Sequence, residues 1–207
     1  MAQQREIAVK IVDASEAQPV FDTIVAAFAD DPVVRWSFPD PDAYRSLFPS
    51  FASAFAGRAL SDGSGYATHD LAGVALWLAP GTGPDEEAMA AIVMDAMSET
   101  KQSEVFALME QMGQYHPPEP HWYLPLIGVQ PSKQGNGYGA ALLSASLERS
   151  DADGAPAYLE ATSERNVPLY ERHGFVRLGT IQAGSSPPLV PMLRKARLSS
   201  LEGDSAI

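Results

Sequence analysis

Three glycines stand within five positions, at 135, 137 and 139, between an apolar run and a helical pattern. Closely spaced glycines expose neighbouring backbone N–H groups, and a helix that begins behind them adds the positive end of its dipole. Such a turn can bind a diphosphate with few cations, and Lys133 supplies one nearby. A turn that bound nothing would gain little from three glycines, because each destabilises a helix start by roughly 0.5–1 kcal/mol. Residues 126–140 therefore predict a strand, a phosphate-binding turn and a helix.

Two known phosphate-binding motifs can be compared with this turn. A Walker A loop is excluded, since no Lys-Ser or Lys-Thr follows the glycines. The dinucleotide fingerprint G-x-G-x-x-[GA] fits at Gly135, Gly137 and Ala140, with Glu160 about twenty residues later. Against a dinucleotide, residues 131–134 separate the strand from the first glycine, whereas that fold enters it almost directly. An NAD(P)-binding oxidoreductase is therefore the less favoured alternative.

Apolar periodicity divides the chain into strands and helices. The predicted strands cover residues 5–12, 66–69, 73–79, 121–129, 157–161, 175–181 and 189–193. The first predicted helix starts at a capping box, Ser15–Gln18, and ends near residues 30–32. Further helices are predicted over 44–55, 137–149 and 167–172, with two more in a helical insertion at about 84–119. A loop is expected over 33–41, and Pro49 predicts either a kink or two short helices. We expect a single domain over residues 1–207, with a frayed tail from Ser199.

Composition limits the partners of the chain. A formal charge of −12 argues against binding to nucleic acid, which needs a basic surface, and favours cationic partners such as amines. The chain has no cysteine, and its four histidines lack close ligand spacing, so no metal site is expected. No apolar run approaches a signal peptide or a membrane span. We expect a cytoplasmic protein that does not bind a membrane, and the sequence leaves a homodimer open.

A second informative segment follows the strand that ends near Glu160. Asn166 and Tyr170 lie one turn apart on a short predicted helix, which breaks at Gly174 before Phe175 begins a strand. Residues at positions i and i+4 share a helix face. By itself, such a pair is usually a surface or packing feature.

Together the two segments resemble the GNAT acetyltransferase superfamily. Its acetyl-CoA motif, [RQ]-x-x-G-x-[GA], is matched by Gln134, Gly137 and Gly139, and its later N-x-x-x-Y-x-x-x-G-F element by Asn166 through Phe175. The fragments HWYL (121–124), IGV (127–129), YLE (158–160) and YER (170–172), with the helical insertion, are similar to the puromycin N-acetyltransferase-like branch. Similarity at the level of motifs covers roughly residues 116–180.

The resemblance implies an α/β (α+β) fold with a twisted, mixed but mostly antiparallel sheet of six to seven strands, flanked by helices. The sheet would be splayed after residue 129, and the pantetheine arm of acetyl-CoA, the implied co-substrate, would lie in the gap. The implied cofactor-binding residues are Ile127, Gly128, Val129, Gln134, Gly135, Asn136, Gly137, Tyr138, Gly139, Ala140, Asn166 and Tyr170.

The implied reaction is direct attack of a small-molecule primary amine on the thioester. Tyr170 is the candidate general acid, because a phenol suits the protonation of a thiolate of comparable basicity. For the general base, Glu160 is the first candidate and His121 the second. Lining of the acceptor pocket is assigned to Asp30, Asp31 and Tyr44. A non-catalytic module that senses acyl-CoA is a further alternative.

Overall fold

A computed structural model describes residues 7–197 of the chain. Its strands are β1 (Val9–Val12), β2 (Gly65–Thr68), β3 (Gly73–Leu78), β4 (Trp122–Val129), β5 (Ala157–Ala161), β6 (Val176–Arg177) and β7 (Val190–Arg194). They form one seven-stranded sheet in the order β1-β2-β3-β4-β5-β7-β6. Every neighbouring pair is antiparallel except β4 and β5, which are parallel. The expected mixed, mostly antiparallel sheet is confirmed, and residues 7–197 do not form the doubly wound parallel sheet of a dinucleotide-binding fold.

Helices cover both faces of this sheet. They are α1 (Ala17–Phe28), α2 (Pro32–Ser37), α3 (Pro41–Ala56), α4 (Arg58–Ser61), α5 (Glu86–Ala96), α6 (Glu99–Tyr115), α7 (Tyr138–Ala152) and α8 (Val167–Arg172). On one face, α1, α3 and α4 enclose a core that includes Ile24 and Phe48. On the other face, α7 and α8 enclose a second core around Trp77 and Leu143. Between residues 7 and 197, no helix has the length and apolar character needed to cross a membrane.

The N-terminal helices differ from expectation in their boundaries. Residues 33–41, predicted as a loop, contain α2, because Asp31 caps it by accepting from the N–H groups of Val33 and Val34, both at 3.0 Å. The predicted capping box is also wrong: Asp13, not Ser15, caps a 3-10 turn that leads into α1. Helix α3 continues through Pro49, since its buried face outweighs the lost hydrogen bond.

The chain ends show smaller differences. The predicted strand over 175–181 is reduced to the two residues of β6 and one isolated bridge between Ile181 and Leu189. The first predicted strand is β1, which begins at Val9. The predicted frayed tail, from Ser199, lies outside the described residues.

Strands β4 and β5 separate early. Their ladder consists of Trp122 with Ala157 and Tyr123 with Tyr158. The register of β4 against β3 shifts between Tyr123 and Leu126, which marks a β-bulge. A bulge bends its strand and strengthens the local twist. The gap therefore opens after Tyr123, several residues earlier than the predicted position at residue 129.

Candidate active site

One wall of the gap is the free edge of β4. The N–H of Gln130 donates to the carbonyl of Ala72 at 2.8 Å, so this pair is hydrogen-bonded across the β3–β4 ladder. Ladder bonds alternate along antiparallel strands. The register therefore turns the backbone of Gly128 toward β3 and the N–H and C=O groups of Ile127 and Val129 into the gap. These groups can pair with an extended polar ligand as a neighbouring strand would.

Gly128 has a packing role, unlike Ile127 and Val129, whose backbone groups face the gap. A Cβ atom built on it would lie 2.7 Å from the Cβ of Ala27 in α1. The glycine therefore lets α1 pack directly against β4. Its assignment as a cofactor contact stays a prediction, since its backbone faces β3.

The glycine turn opens at the end of β4 and exposes backbone donors. Gly135 and Gly137 have φ of 76° and 88°, a conformation that side chains with a Cβ disfavour. Helix α7 begins without a capping side chain. The N–H groups of Gly137 to Ala140 have no acceptor among residues 7–197, which leaves them free to bind an anion.

Polar side chains hold this turn in place. Gln134 Nε2 donates to the carbonyl of Val129 at 3.1 Å and so ties the turn to the gap edge. Asn136 Nδ2 donates to the carbonyls of Lys133 and Gln134 at 3.2 and 3.1 Å. The hydroxyl of Tyr138 donates to Asp70 at 2.9 Å. Gln134, Asn136 and Tyr138 thus shape the binding turn through contacts within the protein.

Helix α8 lies beside the start of α7. A Cβ atom on Gly139 would meet Leu169 at 3.1 Å, so a glycine there permits the close approach. Asn166 precedes α8 and makes no side-chain hydrogen bond with the described part of the chain. Arg165 Nη2 lies 3.5 Å from Gln134 Oε1, which places a second cation near the turn in addition to Lys133. Arg165 was not predicted from the sequence, because the family-like motif begins one residue later.

Tyr170 is buried between α8 and the sheet. Its ring packs edge-on against Phe175 with centroids 6.1 Å apart. Burial, with a smaller contribution from the negative charge of Asp31, raises the pKa of Tyr170. The phenol therefore keeps its proton at neutral pH, as a general acid must.

Asp31 connects the N-terminal helices to the end of β5. One oxygen caps α2, and the other accepts a hydrogen bond from the hydroxyl of Thr162. Burial raises the pKa of Asp31, while these hydrogen bonds oppose the shift. Both oxygens have protein partners, so the residue organises the opening of the gap beside Tyr170. Thr162 carried no recognisable sequence signal.

The other two predicted substrate contacts, Asp30 and Tyr44, have different surroundings. Asp30 is exposed at the end of α1. Tyr44 is buried, stacks on Phe48 with centroids 5.1 Å apart, and donates its hydroxyl to the carbonyl of Val25 at 2.5 Å. Burial raises the pKa of Tyr44 to about 12. Substrate binding by Asp30 and Tyr44 stays a prediction.

Glu160 lies on the part of β5 that has separated from β4. Its side chain is 3% exposed, and Oε1 has no hydrogen-bond partner among the described residues. The hydroxyl of Tyr158 on the same face is likewise buried and unpartnered. Burial, strengthened by the charge of Glu160, raises the pKa of both Tyr123 and Tyr158. An unpartnered carboxylate oxygen in a buried site is a feature of functional groups.

Two histidines approach Glu160 from the segment before β4. His116 Nε2 lies 3.5 Å from Glu160 Oε1, and His116 Nδ1 lies 3.0 Å from His121 Nε2. His121 Nδ1 in turn lies 2.8 Å from the carbonyl oxygen of Glu119. The structure thus brings both candidate bases, Glu160 and His121, into one cluster through His116. In the sequence, His116 is recognisable only as a candidate metal ligand, because its five-residue spacing from His121 fits no helix or strand period.

The site offers a ligand mainly backbone groups. Within the described part of the chain, no group of three or more histidine, cysteine or acidic residues could hold a metal ion. A free strand edge, an adjoining turn of exposed amides and two nearby cations match an extended amide chain that ends in a diphosphate.

Comparison with known proteins identifies the family. A sequence model described as acetyltransferase (GNAT) domain matches residues 87–196. An uncharacterized N-acetyltransferase of Schizosaccharomyces pombe is 25% identical, with 97% of this chain and 88% of that protein covered. Histone acetyltransferase HPA2 and related acetyltransferase from Corynebacterium glutamicum has a TM-score of 0.68 at 28% identity, covering 95% of this chain and 99% of the other. Arylalkylamine N-acetyltransferase 2 of Aedes aegypti has a TM-score of 0.66 at 14% identity, covering 93% and 100%.

Proposed function

Because the chain belongs to the GNAT acetyltransferase family, we propose that it transfers the acetyl group of acetyl-CoA to a primary amine of a small molecule. The family match supports an acyltransferase over the oxidoreductase, and a non-catalytic acyl-CoA sensor would be distinguished by the lack of turnover on any amine. The observation that carries the proposal is the gap between β4 and β5, which joins the exposed amides of the glycine turn at its mouth.

Acetyl-CoA would be bound mainly by backbone groups. The free edge at Ile127 and Val129 would pair with the pantetheine amides, and the amides from Gly137 to Ala140 would hold the diphosphate. Lys133 and Arg165 would add positive charge at the turn. This division suits a protein with a net charge of −12, because few cations are needed where helix and turn dipoles bind the anion.

The chemistry would be a direct attack. The amine nitrogen forms a bond to the thioester carbon, the carbon–sulfur bond breaks, and Tyr170 protonates the departing thiolate. Glu160 would take the proton that the ammonium group must lose, and the protein would supply positioning and charge stabilisation. Burial of Tyr170 and Glu160 supports these roles, because proton transfer in a water-poor site is less exposed to competing hydrolysis.

A small amine is the acceptor that the site favours. The candidate base is 97% buried behind α6 and the segment before β4, which suits a short acceptor better than a protein chain. The mosquito neighbour is named for arylalkylamines and the Corynebacterium neighbour for histones, so names of neighbours support both acceptor classes. Puromycin-like acceptors follow from the branch that the sequence resembles, and they belong in the test panel.

Thermal-shift titration tests the co-substrate. We expect acetyl-CoA and CoA to raise Tm, because a ligand at a hundred times its Kd stabilises a protein by about 2.7 kcal/mol. NADPH serves as the matched nucleotide control and should give no comparable shift. Stabilisation by NADPH without stabilisation by CoA would overturn the proposal.

A thiol-release assay tests the acceptor. The panel contains alkylamines, arylalkylamines, agmatine and puromycin, with a lysine-containing peptide and an N-terminal peptide as the protein-type acceptors. Turnover of small amines above the peptides is expected. Turnover of peptides alone would change the acceptor class and leave acetyl-CoA use intact.

A further inference from the structure

The glycine turn contains two neighbouring residues that can react with each other. Asn136 directly precedes Gly137, and both are exposed. In an Asn-Gly pair, the backbone nitrogen of the glycine can attack the side-chain amide carbon of the asparagine, because glycine has no Cβ to shield that nitrogen. The attack closes a succinimide ring and releases ammonia, so the structure around this pair decides whether the asparagine lasts.

The backbone nitrogen of Gly137 is available for the attack. Its N–H group has no acceptor among residues 7–197, and the residue has a φ of 88°. Gly137 also stands where α7 begins, at the positive end of the helix dipole. This field favours loss of the amide proton, because the nitrogen becomes an anion before it attacks. The charges of Lys133 and Arg165 beside the turn act in the same direction.

The side chain of Asn136 is held only from the surface. Its Nδ2 donates to the carbonyls of Lys133 and Gln134 at 3.2 and 3.1 Å, and both hydrogen bonds are exposed. Water can replace an exposed hydrogen bond at a small net cost in free energy. The side chain is therefore able to leave these carbonyls and turn toward the nitrogen that follows it.

The other asparagine of the chain, Asn166, is placed differently. It precedes Val167, whose side chain is branched at Cβ and fully buried. The N–H of Val167 donates to the carbonyl of Glu164, so its nitrogen is already engaged. Gln134 also precedes a glycine, but its longer side chain would have to close a larger ring, which forms more slowly. Of these three amides, Asn136 should react first.

We propose that Asn136 is a site of spontaneous deamidation that disables the binding turn, and that a diphosphate bound at the turn protects it. The nitrogen of Gly137 loses its proton and bonds to Cγ of Asn136, the Cγ–Nδ2 bond breaks, and the amide nitrogen leaves as ammonia. Water then opens the ring to aspartate or isoaspartate, and nothing is oxidised or reduced. Both products place a carboxylate in the turn, and isoaspartate also lengthens its backbone by a methylene.

The effect on binding rests on the acetyl-CoA function proposed above. A carboxylate at position 136 would repel the diphosphate that the adjacent amides hold, because like charges at short range repel even when water screens them. We expect Asn136→Asp to weaken CoA binding about 10-fold or more, measured by calorimetry. Gln114→Glu, an exposed residue on α6, adds the same charge and should leave binding unchanged. Equal losses in the two variants would contradict a local effect of the carboxylate.

Peptide mapping by tandem mass spectrometry tests the modification itself. The full chain is incubated in mildly alkaline buffer, with and without CoA, and the amides at 134, 136 and 166 are followed. We expect Asn136 to convert first, to a mixture of aspartate and isoaspartate, while Asn166 keeps its amide. CoA should slow this conversion, because the diphosphate would occupy the N–H of Gly137. Conversion of Asn136 no faster than that of Asn166 would overturn the proposal.

The remaining outcomes separate this site from the proposed function. If Asn136 deamidates but CoA neither binds nor protects, the modification site stands and the proposed co-substrate fails. If CoA binds and Asn136 keeps its amide without it, the deamidation site fails and the proposed function stands. Equal rates of conversion with and without bound CoA would contradict protection by the diphosphate.

Discussion

At the scale of single residues, Tyr170 combines a buried ring with an available proton. Its ring belongs to the core on the α7 and α8 face, and its hydroxyl makes no side-chain hydrogen bond with the described residues. Burial and Asp31 both favour the protonated phenol. Removing the hydroxyl therefore removes a proton donor and leaves the packing of the ring intact.

We expect Tyr170→Phe to reduce kcat by about 10²-fold or more, within the usual range for a general acid. Acetyl-CoA should still raise Tm as it does for the wild type. Steady-state thiol release and thermal shift measure the two effects. Tyr66→Phe, another tyrosine with a buried ring in the same core, is the control. A Tyr170→Phe enzyme with unchanged kcat would remove Tyr170 from the chemistry.

At the scale of elements, the close contact of α1 with β4 sets one wall of the site. Gly128 and Ala27 meet where no additional Cβ fits, since the two Cβ atoms would lie 2.7 Å apart. Neither residue has a polar side chain that could act on a substrate. Their effect is to fix the distance between the helix layer and the strand whose free edge lines the gap.

Gly128→Ala should lower the free energy of unfolding by about 1–3 kcal/mol, as overpacking of a core does. Ala27→Gly alone should cost about 1 kcal/mol, because glycine is unfavourable inside a helix. The double variant should be more stable than the sum of the two losses predicts, since it removes the clash. Urea denaturation of all four proteins measures the coupling, and additive losses would contradict this account of the glycine.

The end of α7 is joined to β7 by a partly buried ion pair. Arg194 Nη1 and Nη2 donate to the two oxygens of Asp151 at 2.8 and 2.7 Å, and the arginine side chain is 3% exposed. The hydrogen bonds from Arg194 are the main reason that the pKa of Asp151 is lowered from 3.8. The pair holds α7, and with it the glycine turn, against the sheet.

Asp151→Asn should lower the free energy of unfolding by about 3 kcal/mol at pH 7, because it leaves a buried guanidinium without its counter-charge. A lowered folded-state pKa contributes stability above pH 3.8, and this contribution disappears as the pH falls through the folded value. The difference between wild type and variant should therefore shrink in acid. Asp42→Asn, in an exposed pair with Arg45, should change stability by less than about 1 kcal/mol. Equal losses for the two variants would contradict the prediction.

At the scale of the whole molecule, the net charge of −12 acts on the approach of both substrates. A negative protein attracts a cationic amine over long range, and salt screens this attraction. The anionic co-substrate must enter against the same field, and Lys133 and Arg165 offset it only at the turn. The field therefore favours cationic acceptors before any contact is made.

We expect kcat/KM for an alkylammonium acceptor to fall as ionic strength rises, with kcat nearly constant. Trifluoroethylamine, which carries no charge at pH 7, should show little dependence on salt. Initial rates at low acceptor concentration across a salt series measure both. The same salt dependence for the two amines would exclude steering by the net charge.

Local sequence patterns determined much of this protein. The strand, turn and helix around the three glycines, the alternation of the last third of the chain, and the pairing of Asn166 with Tyr170 all depend on residues within a turn or two of one another. Positive φ at Gly135 and Gly137, and a strand at 157–161, follow from such local constraints. This is why the family could be predicted from its motifs before any coordinates, and the mixed sheet was then implied by that resemblance.

Only the tertiary structure decided how the site is assembled. The gap opens after Tyr123 because a bulge bends β4, and His116 reaches Glu160 because the segment after α6 crosses the face of β5. Asp31 meets Thr162 although 131 positions separate them in the chain. No short-range spacing encodes such contacts, since they depend on how distant elements pack. The sequence by itself determined which chemical groups are present and the local turns that carry them, and the packing of distant segments decided which of those groups meet.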